Sequence, residues 1–422
     1  MIDVLTAELR APITEETAEL YVGGTVFKTG PPQRVGVELE WLVHDTDRPD
    51  RPVRPERLAR ALAEEFDPPL AGWLSTEPGG QLELSSPPAP LAGCIAGTAA
   101  DLHRLRRRLA GAGLHLSGTG LDTRPQVLHA DSARYIAMDR HFAAGGPEGR
   151  TMMCSTASVQ VCLDAGADEA EVAARWHALH AWLPVLVGLF AHSPRAGWRC
   201  GRSAVWAAID PSRTGIPPGA DPRAAYARWA LDAELLAVRR PGRSWAAPPG
   251  LTFRGWLRGA GPADLPPPGW SDLDYHLSTL FPPVRARGHL ELRVLDAQPG
   301  DGWRVAAALV AGLLGDRAAR DAATAAAGEA IAAVTGAAAD PGTGAGAEAT
   351  ARAMAIAARA GMTDPALRRA GLRFTAAASA ALARAGCADL AAEVDRFADR
   401  CPARGRCPAD DLIDRPSTGE DA

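Results

Sequence analysis

The sequence predicts an α+β fold, in which a strand-rich body carries one polar-faced sheet and an alanine-rich helical region follows it. Three observations lead there. Four short segments place a polar pair two residues apart among apolar residues: Val37-Glu38-Leu39-Glu40-Trp41, Gly80-Gln81-Leu82-Glu83-Leu84, Ala157-Ser158-Val159-Gln160-Val161 and Leu290-Glu291-Leu292-Arg293-Val294. Stretches with apolar residues at helical spacing separate them, and beyond Gly302 the pattern turns to alanine-rich helix.

Taken in order, an amphipathic opening around residues 13–21 leads to the first polar strand, about residues 34–44. Pro55 suits the first turn of a helix whose Leu58, Leu62 and Phe66 share one face. The second polar strand, about residues 81–85, stops at Pro87-Pro88, which cannot extend a ladder. A helix bearing Leu91, Ile95, Leu102, Leu105 and Leu109 follows, then a strand, a loop, a short helix near residues 132–142 and the third polar strand. A long helix over residues 169–191 comes next. Residues 193–268 are rich in Pro, Gly, Arg and Trp, with one helical interval at 222–238; loops of this kind carry function when a scaffold holds them. After the turn Phe281-Pro282-Pro283, the fourth polar strand runs over about residues 289–296. The expected organisation is a body at 1–303, a helical region at 304–398 and a polar tail at 399–422. Within the helical region, Gly342-Thr343-Gly344-Ala345-Gly346 reads as flexible linker.

Composition limits the function classes. The 422 residues are 47% hydrophobic and 23% charged, which is ordinary for a globular chain able to bury a large core. Net charge is −5 and no basic stripe interleaves with aromatics, so nucleic acid is not an expected partner. Lys28 is the only lysine, and arginine carries the rest of the positive charge. The longest apolar run, residues 181–191, is short for a membrane span and contains Pro184, so it reads as a buried helix and no membrane association is expected. Seven cysteines without paired spacing, and an N-terminus lacking a signal-peptide pattern, place the protein in a reducing cytoplasm.

Several familiar motifs fail. Lys28-Thr29 resembles the end of a phosphate loop, but Phe27 stands where glycine is required. Gly118-Thr119-Gly120 lacks the third glycine of a dinucleotide fingerprint. What remains is the set of polar pairs. Side chains alternate across a strand, so each pair projects to one face while Leu39, Leu82, Val159 and Leu292 point to the other. A single such strand reads more readily as a solvated face. Repetition with glutamate, which is depleted from strands and costly to bury alone, points to hard cations bound by oxygen, Mg²⁺ above all. Arg293 beside Glu291 is either an ion-pair partner or a guanidinium fork for a substrate carboxylate, and Arg202 poses the same question. Cys154 and Cys162 flank the third polar strand. Cys401 and Cys407 are either buried thiols or a redox pair. His276, with Tyr275 and Thr279, lines a pocket or belongs to the core, and Trp41, Trp206 and Trp256 either wall substrate sites or pack.

Taken together, Gly36 to Glu40, Glu77 to Leu84 (EPGGQLEL), Thr151 to Asp164 (TMMCSTASVQVCLD), Arg202 to Gly215 (RSAVWAAIDPSRTG) and Tyr275 to Asp296 (YHLSTLFPPVRARGHLELRVLD) resemble the glutamate–cysteine ligases of plant and actinobacterial type. The likeness is greatest to the actinobacterial enzymes that feed ergothioneine synthesis, and it covers about residues 34–303. It implies a glutamine synthetase-like curved antiparallel sheet flanked by helices, whose concave face holds metals, ATP and substrates. It implies Mg²⁺ ligands at Glu38, Glu40, Glu77, Glu83, Gln160 and Glu291, and glutamate binding by Arg202 and Arg293, with Arg285 meeting phosphate or carboxylate. Glu83, Glu291 and Arg293 are the residues it places at the chemistry. The implied reaction joins L-glutamate to L-cysteine at the expense of ATP, through γ-glutamyl phosphate, giving γ-glutamylcysteine, ADP and phosphate. Two other readings compete with it: a ligase using a different amine, and a metal- and amino-acid-binding regulator without turnover.

Overall fold

A computed structural model describes residues 12–30, 33–129, 132–338, 340 and 342–415. The expected reading of the first residues as lacking a signal peptide lies outside them. Among the described residues, seven strands form one antiparallel sheet: β1 (Val35–Asp45), β2 (Trp73–Thr76), β3 (Leu82–Ser85), β4 (Leu114–Ser117), β5 (Ser158–Leu163), β6 (Val284–Ala286) and β7 (Leu290–Asp296). Their order is β2-β3-β1-β5-β7-β6, with β4 pairing the far end of β1. The four polar segments thus become the four central strands, side by side.

The alternation anticipated from sequence holds. Leu39, Leu82, Val159 and Leu292 are buried on the apolar face. Trp41 falls on that same face and is buried among them, so it packs and does not wall a substrate site. Against this back lie the helices Glu169–Leu189 and Trp303–Gly315. Every residue of Glu169–Leu189 from Ala178 onward is buried, which suits a helix enclosed by neighbours. Pro184 sits inside it without ending it. No helix among the described residues is long and apolar enough to cross a membrane.

The C-terminal helices Arg317–Thr335, Gly344–Ala360, Pro365–Arg384 and Ala388–Arg400 complete the layer. Alanine lets such helices approach closely, and Ala323, Ala327, Ala357 and Ala378 are fully buried. One expectation fails here. Gly342–Gly346 is not a linker: Thr343 caps the helix Gly344–Ala360, its hydroxyl accepting from the Gly346 amide at 3.1 Å. Composition suggested flexibility, but the cap supplies the local hydrogen bond. Of the expected polar tail, the described residues 399–415 pack against the body. Ala409 donates its backbone N–H to Ala191 at 2.8 Å, Arg199 pairs with Asp410 at 2.9 Å, and Cys401 and Cys407 are buried.

Smaller differences have local causes. The helical interval expected at 222–238 ends at Asp232, where the chain turns extended at Ala233. Short strands β2 and β6, and helices Glu148–Ser155, Gly201–Ala208 and Trp270–Leu277, are too brief for periodicity to reveal. Gly118 and Gly120 serve packing: a Cβ at Gly118 would stand 2.0 Å from the Gln298 carbonyl oxygen, and one at Gly120 2.6 Å from the Asp296 carboxyl carbon.

Candidate active site

The polar face of the sheet gathers the predicted residues in cross-strand rows. Glu38 lies opposite both Ser85 and Gln160, and Glu40 lies opposite Glu83. Cys162 lies opposite Glu291, which in turn lies opposite Arg285. A register shift between Val159 and Val161 brings Gln160 toward Arg293, whose Nη1 donates to Gln160 Oε1 at 2.6 Å. Antiparallel pairing therefore converts four separated sequence segments into one patch.

At one end of the patch are the carboxylates. Ser158 Oγ donates to Glu40 at 2.9 Å and Gln160 Nε2 donates to the other Glu40 oxygen at 2.8 Å. Ser75 and Ser85 hydroxyls both reach Glu83 Oε1 at 3.2 Å. Burial pushes all four acids upward, and mutual repulsion adds to it. Burial, then Glu291 and Glu83, raise Glu38 to about 7. Burial, then Glu40 and Glu83, raise Glu77 to about 8. Glu40 and Glu83 are raised too, chiefly by burial. Like charges held this close on neighbouring strands are unfavourable without a cation or a proton between them.

Glu77 reaches the patch from a tight turn. Its backbone N–H donates to Gln81 O at 2.8 Å, and its carbonyl accepts from the Gly80 N–H at 2.9 Å. The buried Gln81 side chain accepts from the Gly79 N–H at 3.0 Å and donates to the Thr156 carbonyl at 3.0 Å. Gly80 has φ +87°, which favours glycine, and a Cβ on Gly79 would stand 2.1 Å from the Cys154 carbonyl oxygen. Gly79→Ala is expected to cost about 1–3 kcal/mol, the usual range for overpacking. A fall in the urea unfolding midpoint would register it; an unchanged midpoint would mean that the turn does not hold Glu77 as described.

At the other end are the arginines. Arg285 makes a forked contact with Glu291, with nitrogen–oxygen distances of 2.8 Å to each carboxylate oxygen, and Arg293 pairs with the same carboxylate. Although burial alone would raise it, Arg293 and Arg285 hold Glu291 down at about 2. Glu291 thus differs from the other four acids, because two guanidinium groups already match its charge. Behind Arg293 opens a cavity of ≈ 390 Å³. Its walls include Arg202, Trp206, Phe281 and Met354. Both guanidiniums stand over the Trp206 ring, Arg202 at 5.7 Å and Arg293 at 5.9 Å. Arg202 donates through Nη2 to the Arg293 carbonyl at 2.9 Å, but its buried Nε and the Trp206 Nε1 have no partner among the described residues. Two cations and two unused donors around one cavity suit a carboxylate ligand.

A family model for glutamate–cysteine ligase family 2 matches residues 34–422. The chain belongs to this family. Glutamate–cysteine ligase EgtA of Mycobacterium tuberculosis is 36% identical over 424 aligned residues, covering 96% of this chain and 92% of that protein. EgtA of Mycolicibacterium smegmatis is 38% identical over 320 residues, covering 71% of this chain and 74% of that protein. The chloroplastic glutamate–cysteine ligase of Arabidopsis thaliana is 31% identical, covering 72% of this chain and 63% of that one. A crystal structure of a Francisella tularensis glutamate–cysteine ligase in complex with AMP shares the fold. Its TM-score is 0.50 at 11% identity, covering 92% of this chain and 85% of that one.

Against this family background, the match runs past residue 303, where the likeness seen from sequence stopped. In that part of the chain, Met354, Ala355 and Ala358 of the helix Gly344–Ala360 line the arginine cavity of this ligase. Of the aromatic candidates, Trp206 lines the cavity, while Trp256 is buried in the core and donates to the Pro266 carbonyl. His276 is buried with Nε2 on the Ala230 carbonyl at 2.7 Å, a core role. Asp296 escaped sequence reasoning. Buried at the end of β7, it accepts from Ser193 Oγ at 2.6 Å and the His192 N–H at 2.8 Å, and Ser193 Oγ in turn accepts from the Arg202 N–H at 3.0 Å. This chain of bonds fixes the start of the helix bearing Arg202, and its one sequence signal was an aspartate closing an otherwise apolar strand.

Proposed function

We propose that this ligase joins the γ-carboxylate of L-glutamate to the amine of L-cysteine with ATP, forming γ-glutamylcysteine, ADP and phosphate, in the pathway to ergothioneine. The observation that carries the reading is the adjacency of a carboxylate patch, built for cations, to a cavity walled by Arg202 and Arg293, built for an anionic substrate. Glu38, Glu40, Glu77 and Glu83 offer only hard oxygen donors, whose repulsion a divalent cation would relieve, and this set fits Mg²⁺. Gln160 adds an amide that already bridges Glu40 and Arg293. Glu291 would join a cation only by loosening its hold on an arginine, so its first role is to orient Arg285 and Arg293.

Mg²⁺, when bound, neutralises charge on the phosphates of ATP and orients them. The protein's own contribution is placement. Arg202 and Arg293 hold the α-carboxylate of glutamate, leaving the γ-carboxylate toward the carboxylate patch. One γ-carboxylate oxygen attacks the γ-phosphorus of ATP, the bond to ADP breaks, and an acyl phosphate forms. The cysteine nitrogen then attacks the acyl carbon, phosphate leaves and the amine gives up a proton. Bringing the three substrates to one face makes each of the two steps effectively intramolecular. No protein nucleophile is needed, and arginine suffices where lysine is nearly absent.

The test is ADP release by purified protein with ATP, Mg²⁺ and glutamate, with cysteine present, absent or replaced by other amines. Release that requires both glutamate and cysteine is expected. Release indifferent to cysteine would favour another amine, and none under any condition would favour the regulator.

A further inference from the structure

We propose that Trp73, on the edge strand β2, is the platform on which the adenine ring of ATP stacks. The inference rests on the ATP-dependent reading above and goes beyond it by naming the nucleobase contact. Trp73 is 65% exposed, against 3% and 5% for Trp41 and Trp256. A tryptophan left so bare on a regular strand is unusual, because its large apolar area favours burial.

Position gives the exposure meaning. Trp73 pairs with Ser85, Ser85 pairs with Glu38, and Glu38 pairs with Gln160, so the four form one cross-strand row. On its own strand, Trp73 shares a face with Ser75, whose hydroxyl reaches Glu83 at 3.2 Å. The indole therefore rises from the polar face, beside the acids. It stands two strand spacings from Glu38, roughly 10 Å. A ribose and its phosphates bridge such a gap, which lets the triphosphate meet the cation-binding acids while the base rests on the indole. As β2 is the sheet edge, one side of its backbone also faces outward, with polar groups available to a base edge.

A second copy of the chain is the other occupant an exposed edge invites. An isologous contact through this face would set one acidic patch against another, which charge disfavours. Among the described residues Trp73 stacks on no other ring, and it is largely exposed, so its replacement should leave the fold intact.

The experiment titrates Mg²⁺-ADP into the parent protein, Trp73→Ala and Trp73→Phe by calorimetry, alongside sedimentation and steady-state kinetics. Trp73→Ala should weaken ADP binding about 10-fold, in the range for loss of one base–aromatic stack. It should raise KM for ATP equally while leaving KM for glutamate and kcat at saturating ATP unchanged, and Trp73→Phe should restore most of the affinity. Equal ADP affinity in the parent and Trp73→Ala would overturn the assignment without touching the ligase reading. A dimer in the parent that Trp73→Ala dissociates, with ADP affinity unchanged, would instead make β2 an interface. A parent that binds no nucleotide would overturn the ATP-dependent reading and this inference together.

Discussion

Glu83→Gln is expected to lower ADP formation by roughly three orders of magnitude while raising the melting temperature of the metal-free protein. The two effects have one cause. Glu83 lies opposite Glu40 and helps raise Glu38 and Glu77, so in metal-free protein it is a source of repulsion. Glutamine keeps the size of the side chain and its ability to accept from Ser75 and Ser85, but removes the charge. The same charge is what a divalent cation requires. The pH dependence follows from the direction of the shifts. Glu38 and Glu77 have folded-state values of about 7 and about 8, above the 4.5 of an unperturbed glutamate. Their contribution to stability is therefore complete below pH 4.5 and is lost as pH rises through 7 and 8. Metal-free protein should soften over that window, and the melting-temperature gain from added Mg²⁺ should grow across it, with protons released on binding. Differential scanning fluorimetry at pH 6, 7 and 8.5, with and without Mg²⁺, measures the softening and the Mg²⁺-induced gain, and calorimetry in buffers of different ionisation enthalpy measures the proton release. A Mg²⁺-induced gain in Glu83→Gln equal to the parent's would refute a metal role for this carboxylate.

The sheet and its shared polar face were legible because they obey a period of two. Glutamates at 38, 40 and 83 alternate with buried leucine and valine, and that pattern alone fixes which face they share. What one strand cannot reveal is its neighbour. That Glu38 faces Gln160, and Cys162 faces Glu291, depends on pairing across more than a hundred residues of chain. The bulge that swings Gln160 to Arg293 leaves no mark in the periodicity. Glu291 shows the limit most clearly. Spacing gave it the look of Glu38, yet β6 places Arg285 opposite it and makes it an arginine anchor first. The cavity was invisible for another reason: its walls come from the helices Gly201–Ala208 and Gly344–Ala360, and an alanine-rich helix says nothing of which alanines face a void. Trp206 and Trp256 look alike in sequence, and only packing separates the cavity wall from the core.

Arg293→Ala is expected to raise KM for glutamate by about two orders of magnitude, while kcat at saturating glutamate falls much less. Truncating one partner of a buried, hydrogen-bonded ion pair costs about 2–5 kcal/mol, and the side chain lost here serves two acceptors and one ring. It donates to Gln160 Oε1, pairs with Glu291 and covers Trp206. The fold should survive, because Arg285 keeps its forked contact with Glu291 and so leaves no buried carboxylate without a cation. Arg293→Lys tests geometry against charge. A lysine ammonium retains the positive charge but not the planar fork, so it should recover only part of the affinity. Arg202 differs: its buried Nε has no partner among the described residues, and its charge favours ionised Glu40, so its loss should weaken glutamate binding and push Glu40 further up. Calorimetric titration of glutamate into the parent and the three variants, with melting temperatures recorded in parallel, separates these outcomes. Unchanged glutamate affinity in both Arg293→Ala and Arg202→Ala would exclude the cavity as the glutamate site, whereas a shared loss with intact Mg²⁺ response would divide the polar face into a cation end and a substrate end.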